Sequence, residues 1–312
     1  MNNKIIQANM LLLLTAAIWG FAFVAQRVGS QYVGGFTFNG IRFALGSISL
    51  IPLIIYLDKR KKNGNRNESN NEVSTKKTIV SGILAGTILY TGSTLQQVGL
   101  TYTTAGKASF ITALYMVIVP IIGLVLGHKI GKNLWVGVGF AVIGLYLLSI
   151  NENFSIGYGD MLELICSIFF ALHILTIDYF CNRVDPLKLS CIQFATSSCL
   201  SLISAFIFEK ITISGISNAL IPILYGGFLS TGVAYTLQVV AQKNAKPSHA
   251  AIIMSMESVF GAIGGALLLG EIMSTKAYIG CILIFVGILI PQIKIFPKQS
   301  IKTNVKDVTT IY

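Results

Sequence analysis

Apolar and polar residues do not alternate along this chain; they come in blocks. Ten apolar runs can be marked, at about 10–27, 35–57, 78–98, 104–126, 133–150, 159–180, 187–208, 218–241, 248–269 and 275–295. A helix needs about twenty apolar residues to cross the hydrocarbon core of a bilayer, so each run reads as one span. Most links between runs are very short. The exceptions are 58–77 (DKRKKNGNRNESNNEVSTKK) and the basic tail 296–312, both polar enough to read as solvated and flexible. The pattern predicts an all-α integral membrane protein of ten transmembrane helices, with almost nothing left over for a soluble domain. Lys4 ahead of the first run invites comparison with a signal peptide, but no small-residue cleavage site precedes Arg27 and nine runs follow. The first run therefore reads as an uncleaved span.

Composition agrees: 54% of residues are hydrophobic, 11% are charged and the mean hydropathy is +0.73. Soluble domains carry about a quarter charged residues. The net charge of +11 could suggest a nucleic-acid partner, but its distribution does not. With the N-terminus inside, eighteen Lys and Arg fall in cytoplasmic segments, and only Arg27, Lys107, Lys210 and Lys276 fall on the other side. Such an excess orients a membrane protein. It predicts a multi-pass plasma-membrane protein with both termini cytoplasmic, in contact with lipid and not with nucleic acid. The five cysteines lie in or beside apolar runs, form no CxxC pair and read as packing residues.

The chain also repeats itself weakly. Gly137 and Gly144 in run 5 are matched by Gly280 and Gly287 in run 10, at an offset of 143. ALYMVI (113–118) aligns with SMESVF (255–260) at 142, and RFA (42–44) with QFA (193–195) at 151. The offset changes where the long loop of the first half faces a shorter link in the second. Five spans per half is odd, so the second half enters the membrane from the opposite side. The expected organisation is one five-helix repeat over 1–151, an inverted one over 152–295, and the tail. Inverted repeats are the architecture of many secondary transporters, with the substrate site near the bilayer midplane between the halves.

Four motifs carry a family resemblance: AAIWGFAFVAQ (16–26); Gln97 with GLTYTTAGKASFITALY (99–115); LELICSIFFALHILTIDYF (162–180); and AAIIMSMESVFGAIGGALLLGE (250–271). With these the chain resembles the EamA-like branch of the drug/metabolite transporter superfamily, over essentially residues 8–295. The resemblance implies the ten-span fold and a transport role for a small molecule, with no cofactor. It does not imply a substrate, because the superfamily carries amino acids, nucleotide sugars, drugs and other metabolites. Trp19 has Phe169 as its second-half equivalent, so its role is not repeated.

Ionisable groups inside a span are costly, about 2.5–3.5 kcal/mol for Asp, Lys or Arg at the centre, and they normally face a cavity or a partner. Glu257, about nine residues into run 9, is either a proton-coupling site or counter-charge for a cationic substrate group, or else a structural hydrogen-bonding residue. Its repeat equivalent is Tyr115. His173, midway along run 6, could relay protons with Glu257 or be a satisfied packing residue. Arg42, with Asn39 one turn away, suits a substrate carboxylate or phosphate, or an acidic partner. Glu163 and Asp178 lie near the ends of run 6, where pairing or solvation is expected. Trp19, Tyr90, Gln97, Tyr115, Tyr235 and Gln238 complete a set of plausible cavity walls, aromatics for flat or apolar groups and amides for polar ones. Lys107 reads as a snorkelling lysine or a substrate contact, and Pro120 as a kink. Gly82–Gly86, Gly123–Gly127, Gly261–Gly265 and Ala266–Gly270 read as close helix contacts. The sequons at Asn67-Glu68-Ser69 and Asn153-Phe154-Ser155 are discounted, one as cytoplasmic and the other as cramped.

No Walker-type loop, metal cluster or nucleophile motif is present in the sequence. The expected function is therefore a secondary transporter that moves a small metabolite or drug, amino-acid-like or otherwise, with export as one direction. It would act by alternating access, alone or as a homodimer. The alternative is a membrane-embedded lipid-modifying enzyme using His173 or Glu257. Such enzymes gather polar groups at one interface, whereas here they are spread through depth.

Overall fold

A computed structural model describes residues 3–64, 75–149, 157–270 and 274–292. The middle of loop 58–77 with its sequon, the 151/152 boundary with the second sequon, Glu271 and the 296–312 tail lie outside the described residues. The elements are α1 (Asn3–Gly29), α2 (Gly35–Gly64), α3 (Thr75–Tyr102), α4 (Ala105–Thr112), α5 (Tyr115–Val125), α6 (Lys132–Ser149), α7 (Tyr158–Phe180), α8 (Pro186–Phe208), α9 (Ile213–Asn218) and α10 (Leu220–Leu224). A π-helical stretch, Tyr225–Tyr235, then leads into α11 (Thr236–Gln242), α12 (Pro247–Met254), α13 (Glu257–Leu269) and α14 (Thr275–Leu289). Among the described residues all regular structure is helical. Eight helical segments are long and apolar enough to cross a membrane, and Lys132–Leu147 and Thr275–Leu289 are two shorter apolar ones. Together they make the ten-helix membrane fold that the hydropathy pattern predicts.

Local chemistry sets where the helices begin and end. Pro186 and Pro247 occupy first helical turns, where a missing N–H costs nothing. Asp185 accepts from the Leu187 and Lys188 amides, Thr104 from Lys107 and Ser274 from Ala277, each satisfying an otherwise orphaned donor. At the other ends, Gly127 (φ 80°) and Gly270 (φ 69°) adopt left-handed conformations that stop α5 and α13. Both glycines face open space. The Gly123–Gly127 and Ala266–Gly270 pairs therefore terminate helices and do not mediate the helix contacts expected of them.

The other small-residue positions do bring helices together. Gly82 and Gly86 of α3 take Ile192, Gln193 and Thr196 of α8, and Gly261 lies against Gly20 and Ser109. A Cβ on Gly137 would meet the Gly287 carbonyl at 2.5 Å, and one on Gly144 would meet the Gly280 carbonyl at 2.6 Å. That pairing order makes α6 and α14 antiparallel. Because the two glycine pairs are repeat equivalents, the halves they belong to run in opposite directions. A second equivalent pair lies between α2 and α8: Phe43 stacks on Phe194 with ring centroids 6.4 Å apart. The remaining contacts obey the same exchange. α3 packs on α7 as α1 packs on the α10–α11 segment, and α1 packs on α13 as α7 packs on α4 and α5. The fold is thus two inverted five-helix repeats. Its outward surface is apolar, with residues such as Val125, Phe206, Ile221 and Ile282 exposed, as a lipid-facing surface should be.

Three of the ten spans are not continuous helices. The span made by α4 and α5 tightens at Ala113–Leu114, where Leu114 N bonds Ile111 O and Met116 N bonds Ala113 O. The span made by α12 and α13 does the same at Ser255–Met256, where Met256 N bonds Ile253 O and Ser258 N bonds Ser255 O. These i→i+3 bonds are 3₁₀ turns, which inside a helix mark strain or a hinge. The interruptions sit at equivalent places in the two repeats, so Tyr115 and Glu257 each begin a new segment. Pro120, expected to bend its span, lies inside α5. The departure occurs one to two turns earlier, where α4 and α13 are joined by Ser258 Oγ donating to Ser109 O (3.0 Å).

One end of the bundle is fastened by polar contacts. Asp160, in the first turn of α7, accepts from Lys107 Nζ (2.5 Å), the Thr103 hydroxyl (2.7 Å) and the Gly157 amide (2.7 Å). Arg27 of α1 donates to the carbonyls of Leu100 and Thr103. Lys107 is therefore an ion-pair partner of α7, a role its sequence context did not suggest. At the same end Glu209 accepts from the Phe36 and Thr37 amides (2.8 Å each), compensating the N-terminus of α2.

Two outcomes follow from this packing. Gly144→Ala should lower stability by about 1–3 kcal/mol through overpacking, whereas Gly139→Ala on the same helix, which meets open space, should be neutral or stabilising by up to about 1 kcal/mol. Thermal unfolding of the purified protein in detergent compares them. Asp160→Ala should cost about 1–3 kcal/mol because it strips three donors of their acceptor. Lys107→Ala, losing a partly exposed pair, should cost under about 1 kcal/mol in the same assay.

Candidate functional site

The interruptions converge on one cavity at the seam between the repeats. Seven of the ten sequence-predicted site residues line it: Trp19, Arg42, Tyr115, His173, Tyr235, Gln238 and Glu257. Its volume is about 30 Å³ for the centre of a water molecule, which admits about two waters. In this conformation the walls are closed on one another.

Arg42 is carried into the wall by α2 and is only 2% exposed. Asn39, one turn earlier, donates to the Ser93 carbonyl (2.9 Å) and accepts from Arg42 Nε (2.9 Å). The guanidinium is flanked by the rings of Phe43 (4.8 Å) and Phe38 (5.8 Å). Among the described residues no carboxylate pairs with it, and Nη2 is buried without a hydrogen-bond partner. Asn39 thus aims Arg42 and does not itself line the cavity.

Glu257 reaches the cavity because α1 comes unusually close to α13. A Cβ on Gly20 would lie 2.7 Å from the Glu257 carbonyl and 2.4 Å from Phe260 Cβ, so only glycine permits that approach. The carboxyl is buried, with Oε1 unpartnered. The Tyr115 hydroxyl lies beside it without a hydrogen bond of normal geometry, and is also buried and unpartnered. Two repeat-equivalent residues thus present adjacent polar groups to one space.

Tyr235 anchors an aromatic wall. Its ring lies 4.5 Å from Trp19, 6.0 Å from Phe194, 6.0 Å from His173 and 6.4 Å from Phe43. It closes the π-helical stretch, whose wide turns bring backbone carbonyls toward α1. Trp19 Nε1 donates to Ser230 O (3.3 Å), and Thr15 to Ala234 O (3.2 Å). π-Helical segments are frequent at functional sites.

The structure redistributes several expected roles. His173 Nε2 pairs with Gln193 Oε1 at 3.0 Å, so the direct relay between His173 and Glu257 is not formed. Gln97 donates to the Gln26 carbonyl (3.2 Å) and supports the wall from behind, while Tyr90 bonds Ser204 Oγ (2.6 Å) away from the cavity. Gln26, Gln96, Thr112 and Ser230 also line the cavity, none of them among the residues expected there. Gln26 was within reach: positions 19, 22, 23 and 26 share one face of a helix. Gln96 was not, because nothing in the sequence says which of two adjacent glutamines turns inward.

Glu163 departs furthest from expectation. It does not reach an interface but is fully buried, with Oε2 accepting from the Thr112 hydroxyl (2.9 Å) and Oε1 unpartnered. The cause is the close pairing of α3 with α7, where Gly99 and Gly159 leave no gap to solvent. All five cysteines are free thiols, and among the described residues no group of three or more His, Cys, Asp or Glu is placed to hold a metal.

Comparison with known proteins places this architecture. The sequence matches the EamA-like transporter family twice, over residues 6–150 and 157–291. It is 31% identical, over 94% of its length and 88% of the relative's, to a protein of Archaeoglobus fulgidus named an uncharacterized transporter. It is 22% identical to the uncharacterized transporter YoaV of Bacillus subtilis, over 87% of this chain and 91% of that one. A solved crystal structure superposes with a TM-score of 0.71 at 15% identity, covering 91% of this chain and 96% of the other, a likeness of fold alone. With two family matches spanning nearly all the described helices, the chain belongs to the EamA-like transporter family and is a multi-pass membrane transporter.

Proposed function

We propose that the protein is a secondary transporter of the plasma membrane that carries a small amphiphilic organic solute bearing a carboxylate, of amino-acid-like character, by alternating access. The observation that carries this reading is Arg42: a buried guanidinium on the cavity wall, aimed by Asn39, with Nη2 unpartnered and no carboxylate beside it among the described residues. A planar guanidinium with a free edge matches a carboxylate or phosphate. One guanidinium balances a carboxylate's single charge, whereas a phosphate group carries about −1.5 to −2, which favours the carboxylate. Trp19, Tyr235 and Phe170 supply flat apolar walls, and Gln26, Gln96 and Gln238 supply amides, for the rest of the solute.

Glu257 is the coupling group in this reading. Its carboxyl can hold either a proton or the cationic group of a zwitterionic solute, and exchange of one for the other ties solute movement to a proton gradient. Such intramembrane carboxyls mark ion and proton pathways by default. His173, held by Gln193, packs the aromatic wall and is the secondary candidate. The closed cavity requires its walls to part before a solute enters, and the 3₁₀ turns at Ala113–Leu114 and Ser255–Met256 are the places where they can hinge. Both termini lie in the cytoplasm under this reading, in keeping with the charge asymmetry of the loops.

The test is uptake by the purified protein in liposomes of a panel of radiolabelled amino acids and small amphiphilic acids. Wild type should take up at least one saturably, and faster under an imposed pH gradient. Arg42→Gln should reduce that uptake at least about tenfold, the loss of one charge-assisted contact. Glu257→Gln should abolish the acceleration by the gradient. Gradient acceleration unchanged in Glu257→Gln removes that residue from the coupling path, and uptake unchanged in Arg42→Gln removes the carboxylate site.

A further inference from the structure

Glu163 is the buried titratable group that the solute site leaves unused. It sits on α7 one turn deeper than Asp160, fully buried, and no ion pair to it forms among the described residues. A carboxyl so placed is costly to keep in a membrane span and such groups mark proton routes. Two contacts point it both ways along the bundle. Toward the cavity, the Thr112 hydroxyl that donates to Oε2 also accepts from Gln96 Nε2 (3.4 Å), and both residues line the cavity wall. Toward the fastened end, Oε1 is unpartnered and faces Gly99, where an added Cβ would come within 2.8 Å of it. The titratable groups that act on it are Asp160 and Cys166 on its own helix and Glu257 on α13, with Lys107 of α4 beyond, paired to Asp160, and Tyr115 of α5 beside Glu257. From α3, Gly99 faces Oε1 and Gln96 bonds Thr112, and neither titrates.

We propose that Glu163 is a second proton-binding residue of the transport cycle, a relay between the Asp160–Lys107 end of the bundle and the cavity carboxyl of Glu257. This rests on the reading of Glu257 as the coupling group. The Asp160–Lys107–Thr103 contacts cover the approach, and their release admits water to Glu163. A hydronium ion then gives its proton to Oε1 and leaves as water. Rotation of the carboxyl brings the protonated oxygen round to Thr112, and turning of the Thr112 hydroxyl lets Glu163 donate to Oγ1 while Thr112 passes its own proton through cavity water to the Glu257 carboxylate. One proton enters and one arrives: Glu163 gains and then loses a proton and returns to its starting charge, and the Glu257 carboxylate becomes neutral. Gly99 keeps the space beside Oε1 narrow and free of competing side chains.

Infrared difference spectroscopy of the full-length protein in lipid vesicles, titrated from about pH 4 to about pH 10, reads carboxylic-acid absorptions directly and needs no solute. Among the titrating carboxyl bands of the wild type, one should be lost in Glu163→Gln and a different one in Glu257→Gln. Removing Glu163 should also move the midpoint of the Glu257 band by about one pH unit, as interacting sites require. Thr112→Val retains both carboxyls and should shift the Glu163 band alone, which keeps the test informative if Glu163→Gln folds poorly. A Glu163→Gln spectrum identical to wild type overturns the proposal, and so does a lost band that leaves the Glu257 midpoint unmoved. A Glu257→Gln spectrum identical to wild type instead overturns the coupling role of Glu257.

Discussion

Inside a bilayer a polar group must find its partner in the protein, because no water is there to supply one. The rest of this structure depends on that constraint. It explains why all the regular structure described is helical and why serines and threonines so often bond a carbonyl of their own or a neighbouring helix, as Ser197 does with Gly86 and Ser198 with Gly40. It also gives meaning to the exceptions. Several buried side-chain atoms have no protein partner, and five of them, Gln26 Oε1, Arg42 Nη2, Tyr115 Oη, Gln238 Oε1 and Glu257 Oε1, belong to residues that line one cavity. Each such atom costs about 1–3 kcal/mol. Gathered around one space, they make its wall polar on several sides at once.

The two-fold exchange of the repeats shapes the site as well as the fold. Self-paired helices, α2 with α8 and α6 with α14, fix the seam through Phe43 on Phe194 and through the crossed glycines. The spans interrupted at Ala113–Leu114 and Ser255–Met256 then face each other across it. Symmetry in the backbone coexists with asymmetry in the chemistry. Arg42 is answered by the neutral Gln193, Glu257 by Tyr115 and Trp19 by Phe169. Two like halves can exchange conformations at comparable energy, while unlike side chains make the two sides of the cavity chemically distinct.

Much of this was legible in the sequence. Hydropathy blocks gave the ten spans, and the Gly137/Gly144 and Gly280/Gly287 matches anticipated the glycines that meet at the seam. RFA and QFA anticipated the stacked phenylalanines. The polar residues brought to the cavity were mostly recognisable because charge and aromaticity are rare at mid-span. What stayed hidden depends on packing between segments distant in the chain. The burial of Glu163 follows from Gly99 and Gly159 closing α3 on α7, and the pairing of Lys107 with Asp160 joins residues 53 apart. The 3₁₀ turns carry no proline or glycine at the point of departure, and the Gly226-Gly227 pair that opens the π-helical stretch marks a weak point without specifying which turn forms there. They arise from how neighbouring helices hold the backbone, and Pro120 misdirected attention by one to two turns.

Trp19 makes the central claim, that the seam cavity is where solute binds, directly measurable. The chain has two tryptophans, and Trp135 lies on the lipid-facing side of α6. Trp135→Phe therefore leaves a single reporter on the cavity wall. Titrating that protein with a solute shown to be transported should produce a saturable change in tryptophan emission, and adding Arg42→Gln should abolish it. A solute carried at the normal rate with no change in Trp19 emission would contradict the account.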